Sequence, residues 1–292
     1  MKNLLYIFIG LFLFQSCEDI IEVQLDEGEV LLVVDAWLNN ENDTQQIRLS
    51  TTAPYFDSQQ TPAVENATVT VSSDTGETFD FNHIGNGIYE WVPQVDETLG
   101  DIGTNYELNI FADGVTYTSS TRLNRVPVID SITQEFIDDD PFRDEGIYTE
   151  FISRDLVGLG DTYWVKTFKN GQYLNKPEEI NIAFDAGFDS GGEVDGIVFI
   201  PPIRFLTNEI DDAGMFVKWE PGEEIRIEIH SISNEAFAFM EIGRDQLLNG
   251  SNGIFSEPLA NTRGNVTSDN GTTVLGIFNV AAISSSVHII TE

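Results

Sequence analysis

The chain has 292 residues, of which 41% are hydrophobic and 11% aromatic, so it can bury a sizeable core, and its length favours two domains. Fourteen lysines and arginines stand against 49 aspartates and glutamates, which gives a net charge of −35. Such a chain repels phosphate backbones and anionic headgroups, which argues against nucleic-acid binding and against electrostatic docking to membranes. The acidity is typical of a soluble surface with low self-association; a surface that collects Ca²⁺ or cationic ligands is the second interpretation.

Residues 1–16 are predicted to be a lipoprotein signal peptide. Residues 4–14 form an apolar run that is too short to cross a hydrocarbon core about 30 Å thick as a helix, but suits the apolar region of a signal peptide. Ser16 precedes Cys17, which is the only cysteine of the chain. This arrangement resembles a bacterial lipobox, with Phe14 in the place of the usual leucine. An ordinary cleaved signal peptide with an incidental thiol is the alternative.

Lipidation of Cys17 with several palmitate-like acyl chains would anchor the chain to a membrane and leave no thiol for a disulfide, so stability must come from core packing. Residues 17–27 then form an acidic tether, in which Glu18 and Asp19 directly follow the cysteine. Acids at this place resemble the signal for export to the cell surface in lipoproteins of the Bacteroidota. A solvated tether on the periplasmic leaflet of the outer membrane is the alternative.

Residues 28–125 predict an antiparallel β-sandwich domain of the immunoglobulin or transthyretin type. Short runs with alternating polar and apolar residues, separated by Gly and Asn, are typical of such a sandwich. Asp113-Gly114 between two such runs predicts a hairpin, because both turn positions need φ > 0. The predicted strands are residues 31–38, 46–52, 67–73, 87–92, 106–111 and 115–122.

Residues 126–292 predict a second β-rich domain that follows a break at Pro127. Asn170-Gly171 is a second hairpin candidate. One short helix is predicted near residues 233–248, with Ser233 as its N-terminal cap and Asn249-Gly250 as its end. The predicted strands are residues 129–137, 148–153, 162–169 and 225–231 and the tail 273–290.

The sequence shows no catalytic motif, so we expect no enzyme activity. Residues 189–192 (DSGG) resemble the serine-protease sequence Gly-Asp-Ser-Gly-Gly, but Phe188 stands where its first glycine belongs. His-Glu-x-x-His and cysteine pairs are absent from the sequence. His230 lies in an alternating strand and is predicted to be a half-buried structural residue. Among 49 acids a chance carboxylate pair is expected, so such a pair does not indicate a hydrolase.

Two acidic loops are candidates for structural Ca²⁺, because hard cations take six to eight oxygen ligands and glycine lets a loop fold around the ion. Neither loop has the spacing of an EF-hand, and a plain solvated loop is the alternative for both. The candidate ligands are Asp138, Asp140 and Asp144 in the first loop, and Asp185, Asp189 and Asp195 in the second. No other cofactor is expected.

Exposed aromatic side chains are candidates for contact with a ligand or partner. Tyr55 and Phe56 lie between a proline and a polar run, so we expect this pair to be exposed. Four tryptophans could also stack on sugars or on a partner, although most should lie in the core. They are Trp37, Trp91, Trp164 and Trp219.

Several segments, in this order along the chain, resemble the Bacteroidota outer-membrane lipoprotein family catalogued as domain of unknown function 4249. They are residues 33–38 (VVDAWL), 64–71 (VENATVTV), 87–89 (GIY), 103–108 (GTNYEL), 128–132 (VIDSI), the helical residues 237–248, and 276–278 (GIF). The resemblance covers nearly the whole chain after Cys17. It implies an outer-membrane lipoprotein, often encoded beside a TonB-dependent receptor, and it implies no catalytic residues. Residues 64–71 and 87–89 are also similar to transthyretin-like and carboxypeptidase-regulatory folds, which agrees with the predicted sandwich.

The sequence therefore predicts a non-catalytic outer-membrane lipoprotein that faces the cell exterior. It would act as an accessory or ligand-binding partner of a TonB-dependent receptor in nutrient uptake. The alternative is a structural or adhesive cell-surface lipoprotein, and a hydrolase ranks third.

Overall fold

The computed structural model describes residues 28–53, 61–189, 193–249, 262 and 264–292. The signal peptide, Cys17 and the acidic tether lie outside the described residues, as do Tyr55 and Phe56. Within the described part the chain is mainly β, with one helix longer than two turns, which confirms the predicted fold class.

Sixteen strands build two larger sheets and one two-stranded ribbon. The strands are β1 Leu32–Asn39, β2 Gln45–Thr51, β3 Thr68–Ser73, β4 Thr78–Gly85, β5 Ile88–Trp91, β6 Asn105–Ala112, β7 Val115–Arg122, β8 Ile129–Ile137, β9 Gly146–Ser153, β10 Thr162–Lys169, β11 Gln172–Tyr173, β12 Asn181–Phe184, β13 Glu224–Ile232, β14 Thr267–Ser268, β15 Leu275–Ala281 and β16 Ile283–Ile289. The helices are α1 Pro201–Phe205 and α2 Asn234–Asn249, with a 3-10 turn at Pro177–Glu179.

The nine-stranded sheet has the order β14-β7-β6-β3-β4-β5-β2-β1-β15 and folds into two layers at β4. The first half of β4 pairs with β3, as in Phe79 with Val71, and its second half pairs with β5, as in His83 with Tyr89. Alternate residues of β1, β2, β3 and β6 are buried, which is the period of two expected for a sheet with one buried face. In β1, for example, Val34 and its alternate neighbours are buried in the core between the layers.

The two edges of this sheet meet through β15 and a single asparagine. β15 pairs in parallel with β1, whereas the other pairs of the sheet are antiparallel. The Asn265 side chain donates to the carbonyl of Phe278 in β15 (2.8 Å) and accepts from its N–H (2.9 Å), as a neighbouring strand would. The Asn265 carbonyl accepts a hydrogen bond from Ser119 Oγ in β7 (2.9 Å). The sheet is therefore closed by residues near the C-terminus.

This pairing crosses the predicted domain boundary. β14 and β15 belong by sequence to residues 126–292, yet they complete the sheet that residues 28–125 begin. The rest of the second half builds its own sheet around β10, which pairs with β11, β12 and β13, while β16 pairs with β13. The β8–β9 ribbon and this sheet share a separate apolar core.

The two halves are joined where β13 passes β15. Ser231 Oγ donates to the carbonyl of Asn124 (2.9 Å) and accepts from the N–H of Ala282 (2.9 Å). Asn279, which is fully buried in β15, accepts from the N–H of Ser233 (2.9 Å). Buried polar groups at such a junction are stable only when they are hydrogen-bonded, so these pairs fix how the halves meet.

Local signals in the sequence agree with the observed turns and helix. Asp113-Gly114 and Asn170-Gly171 have positive φ at both positions and close the β6–β7 and β10–β11 hairpins, as predicted. Asn86-Gly87 does the same between β4 and β5, a hairpin that the sequence did not predict because β4 was missed. Ser233 Oγ accepts from the N–H of Ala236 (3.1 Å) at the start of α2.

We expect Gly276→Ala to destabilise the protein by about 3 kcal/mol or more. Gly276 in β15 has φ +99°, and a Cβ there would overlap the backbone carbonyl of Val34 in β1. The matched control is Gly271→Ala, where φ is +79° but no atom lies within 4 Å of the new Cβ. It should lose only about 1 kcal/mol from backbone strain. Urea unfolding followed by tryptophan fluorescence measures both; equal losses would contradict the importance of the close β1–β15 contact.

Candidate functional site

The three acidic residues predicted as Ca²⁺ ligands in the first loop do not form a cluster of potential metal ligands. Asp140 accepts a hydrogen bond from the N–H of Phe142 (2.8 Å) and forms an ion pair with Arg143 (2.7 Å), so it shapes the β8–β9 connection. Asp144 uses its backbone carbonyl to accept from the Tyr148 hydroxyl (2.8 Å). Asp138 lies in the same connection. The described residues contain one group of three potential metal ligands, and none of these three acids belongs to it.

That group consists of Asp155, Asp161 and Asp185, of which the sequence predicted only Asp185. Ligand oxygens of the three carboxylates lie within 4.8 Å of one another. Asp155 follows β9, Asp161 precedes β10 and Asp185 follows β12, so neighbouring strand ends bring them together. Asp189 and Asp195 are not members; Asp195 instead accepts from the N–H of Gly158 (2.7 Å).

Each carboxylate of this group already accepts hydrogen bonds or an ion pair. Asp155 accepts from the Tyr163 hydroxyl (2.7 Å), and Asp185 accepts from the backbone N–H of Asp161 (3.0 Å). Arg125 Nε lies 3.1 and 3.0 Å from the two oxygens of Asp161. Burial raises the pKa of Asp155, against the effect of its hydrogen bonds. The group has the donor chemistry for a hard cation. In this structure the group links three loops to one another next to Arg125.

A second site lies at the junction of the two halves. It is a cavity of about 40 Å³ between β1 and β15 on one side and β10 and β13 on the other. The Trp37 and Trp164 rings meet edge to face with their centroids 5.3 Å apart. Because its walls come from both sheets, this cavity exists only when the halves are assembled. Its lining residues include Trp37, Asn39, Trp164, Lys166, His230 and Asn279.

Lys166 is an unusual cation within this cavity. Its Nζ lies 3.9 Å from the centroid of the Trp164 ring, and it makes no hydrogen bond or ion pair with the residues that the structure describes. Burial lowers the pKa of its ammonium group to about 8. Glu228 lies opposite Lys166 in the β10–β13 register, but its carboxylate is held by Arg226 and by His230.

The neighbouring groups leave Lys166 without a counterion. Burial, helped by the positive charges of Lys166 and Arg226, lowers the pKa of His230 well below its usual value, so the imidazole is neutral at pH 7. Its Nε2 lies 2.9 Å from Glu228 Oε2. The face around the cavity therefore has two cations and one anion, in a chain whose net charge is −35. The buried indole N–H of Trp164 also meets no acceptor within the described ranges.

An open groove lies beside this cavity, along the outer face of β1 and β2. Its volume is about 210 Å³. Trp37 lines both the cavity and the groove, so the same indole borders the two. Asp35 and Arg48 are partners in the β1–β2 register, and Gln46 donates to Glu90 (2.9 Å). The result is a half-buried indole beside several exposed polar side chains, a combination suited to holding a polar ligand.

A larger cleft of about 550 Å³ lies beside β7 and the start of α2. It is open and polar, and Arg122, Asp161 and Glu235 are among its lining residues. Its lining residues include no aromatic side chain, so it offers no surface for stacking. We interpret it as a solvated gap at the edge of the junction.

The tryptophans divide into two pairs. Trp219 is buried and donates to Asn208 (2.9 Å), and Trp91 packs edge-on against Phe79, as expected of core residues. Trp37 and Trp164 instead line the cavity. His230 is more deeply buried than predicted, because β13 is covered by its neighbours. The sequence did not single out Lys166, although a lysine two residues after Trp164 in an alternating strand must share its face.

Comparison with known proteins places the chain in one family. A family model described as a domain of unknown function (DUF4249) matches residues 18–286. The chain belongs to this family. No curated protein sequence matches this DUF4249 chain. Within the described residues, none of its helices has the length and apolar character needed to cross a membrane.

We expect Arg125→Gln to lower the melting temperature of this DUF4249 protein, and to lower it more at pH 7 than at pH 4. A carboxyl group whose pKa is raised in the folded state loses stability as the pH rises through that pKa, and Asp155 already has such a pKa. Without Arg125 the charges of Asp161 and Asp185 go unopposed. The matched control is Arg122→Gln, which removes an exposed arginine nearby and should show a smaller pH dependence, because its neighbouring carboxylate, Asp74, is exposed.

Thermal unfolding across this pH range measures the difference between the two variants. An equal effect at both pH values would show that Arg125 acts only by packing. A rise in the wild-type melting temperature with millimolar Ca²⁺, lost in Asp185→Asn, would instead identify the carboxylate group as a metal site.

We also expect the wild-type DUF4249 chain to gain stability between about pH 8 and pH 10.5 relative to Lys166→Met. The folded-state pKa of Lys166 is lowered from 10.5 to about 8, so in this window the unfolded chain binds more protons than the folded chain. Stability therefore rises with pH, and the methionine variant lacks this rise. Lys218→Met removes an exposed amine and serves as control. Parallel pH curves for all three proteins would contradict the burial of Lys166.

Proposed function

We propose that the chain is a non-catalytic lipoprotein of the outer membrane, displayed on the cell exterior. In this proposal it acts as an accessory or ligand-binding partner of a TonB-dependent receptor in nutrient uptake. The observation that carries the proposal is the single cysteine at position 17, which lies between an apolar leader and an acidic tether. The family match begins at Glu18, directly after this cysteine, and so leaves the predicted signal peptide outside it, which agrees with a mature chain that begins at Cys17.

A ligand-binding role has support from the groove at Trp37. The groove and the cavity are built on strands of two sheets, and rigid elements hold a site more accurately than loops do. A small extracellular β-rich body with such a groove suits the capture of a nutrient close to a transporter.

A non-catalytic role has support from the chemistry of the cavity and of the carboxylate group. His230 is the titratable group best placed to act as a base. It is buried, and its Nε2 is hydrogen-bonded to Glu228. The carboxylates of Asp155 and Asp185 are engaged by hydroxyl and backbone donors. A hydrolase therefore remains the third candidate function. It would require a hydrolase activity that disappears when one pair of acidic residues is changed.

A structural or adhesive surface protein is the second candidate. The four exposed apolar side chains of the loops after β9 and β12 favour it, because exposed apolar patches often mark contact surfaces. They are Val157, Leu159, Phe188 and Ile197. Recovery of an extracellular ligand without any receptor would favour this candidate.

Cys17→Ala should release the protein from the envelope fraction. The native protein should carry acyl chains on Cys17, visible by mass spectrometry as an N-terminal modification, because several chains together give lasting anchorage. Ser16→Ala is the matched control, since it keeps a small residue before the cysteine. An unmodified thiol at position 17, or a Cys17→Ala protein that still fractionates with the envelope, would refute the anchor.

Affinity purification from membranes in mild detergent should recover a TonB-dependent receptor with the full-length protein. Deletion of the gene should impair growth on one class of nutrient, and re-expression of the wild-type chain should restore it. Purification without any receptor, combined with normal uptake of each substrate of the neighbouring receptor, would contradict the proposed partnership.

A further inference from the structure

We propose that the cavity and the groove together bind an acidic saccharide, with its carboxylate at Lys166 and a sugar ring on Trp37. This inference rests on the proposed ligand-binding function and names its ligand class. It is carried by the geometry at the junction of the two sheets, where a lysine that forms no ion pair with the described residues lines a cavity next to a polar groove.

The cavity admits an anion of the right size. A space of about 10–15 Å³ is enough for one water molecule, and the cavity measures about 40 Å³, so a carboxylate group fits where a whole ring does not. Lys166 supplies the charge, and its Nζ lies over the face of the Trp164 ring that lines the same cavity. A carboxylate that accepts from an ammonium group forms one of the stronger hydrogen bonds in proteins.

The surrounding charges favour an anion over a cation at this place. Glu228 is the carboxylate nearest to Lys166 in the strand register, and it is already bonded to Arg226 and His230. His230 is neutral, so Lys166 rather than His230 provides the positive charge for an anion in the cavity. An incoming carboxylate therefore completes the charge balance of the site.

The groove supplies what the rest of a sugar needs. The indole of Trp37 gives a flat apolar surface between the cavity and the groove, and sugars present an apolar face to such rings. Arg48, Gln46 and Asp35 line the groove with donors and acceptors for hydroxyl groups. A volume of about 210 Å³ takes roughly one to two sugar rings in an open groove. Carboxylate, apolar face and hydroxyls together describe a uronic-acid-type saccharide.

The test uses calorimetric titration of the full-length lipoprotein in mild detergent with trigalacturonate. The methyl ester of the same trisaccharide is the matched ligand control, because it keeps the shape and loses the charge. Wild-type protein should bind the acid at least about tenfold more tightly than the ester, which is the expected scale for one charge-assisted hydrogen bond. Lys166→Met should lose this preference, while Lys218→Met should keep it.

The pH dependence gives a second readout that does not depend on folding. Affinity for trigalacturonate should fall above about pH 8, where free Lys166 loses its proton, and should be nearly flat for Lys166→Met. Trp37→Leu should weaken the acid and the ester alike, because both stack on the same ring.

Three results would overturn the inference. Equal affinity for acid and ester would show a site for neutral ligands, and unchanged binding by Lys166→Met would place the anion elsewhere. Failure to bind trigalacturonate, a glucuronate trisaccharide and a sialylated trisaccharide would exclude acidic saccharides. If the protein binds no acidic saccharide but the receptor still co-purifies, only this inference is wrong. If neither the saccharides nor the receptor bind, the proposed function is wrong as well.

Discussion

The parallel pairing of β15 with β1 is the constraint on which the rest of the structure depends. β1 begins the described chain and β15 lies near its end, so one ladder joins the two extremes of the sequence. Gly276 allows this approach because it has no side chain where the Val34 carbonyl lies. Once β15 is in place, Asn265 can bridge it to β7, and the next residues continue directly into β16 of the other sheet.

The same ladder builds the cavity. It places Trp37 opposite Asn279, and Asn279 in turn holds the backbone of Ser233 at the end of β13. β13 carries His230, and β10 beside it carries Trp164 and Lys166. Both halves contribute walls to the cavity, so its geometry depends on how the halves are joined rather than on a mobile loop. The buried asparagine at the junction gives that joint a fixed register, because a slip would leave its amide unpaired.

Much of the fold was accessible from the sequence because its strands alternate clearly. β7, β8 and β10 were predicted with their observed bounds, and Asp113-Gly114 was a correct turn signal. Pairing between strands that are far apart in the sequence could not be predicted, because the residues of β15 do not indicate that β1 is its partner. The carboxylate group was missed for the same reason: Asp155 and Asp161 are far from Asp185 in sequence and meet only through strand ends. Lys166 was missed because a single lysine in a strand is normally solvated.

The position of β15 also affects the order in which the chain can fold. A chain that is synthesised from its N-terminus presents β1 long before β15, so one edge of β1 stays unpaired while most of the chain follows. Contacts between residues so distant in sequence form slowly, because the entropy of closing the intervening loop opposes them. An open strand edge is in the meantime a template for wrong partners. The nine-stranded sheet therefore cannot be completed until β15 has been synthesised, so the edge of β1 is the part of the fold that is exposed longest.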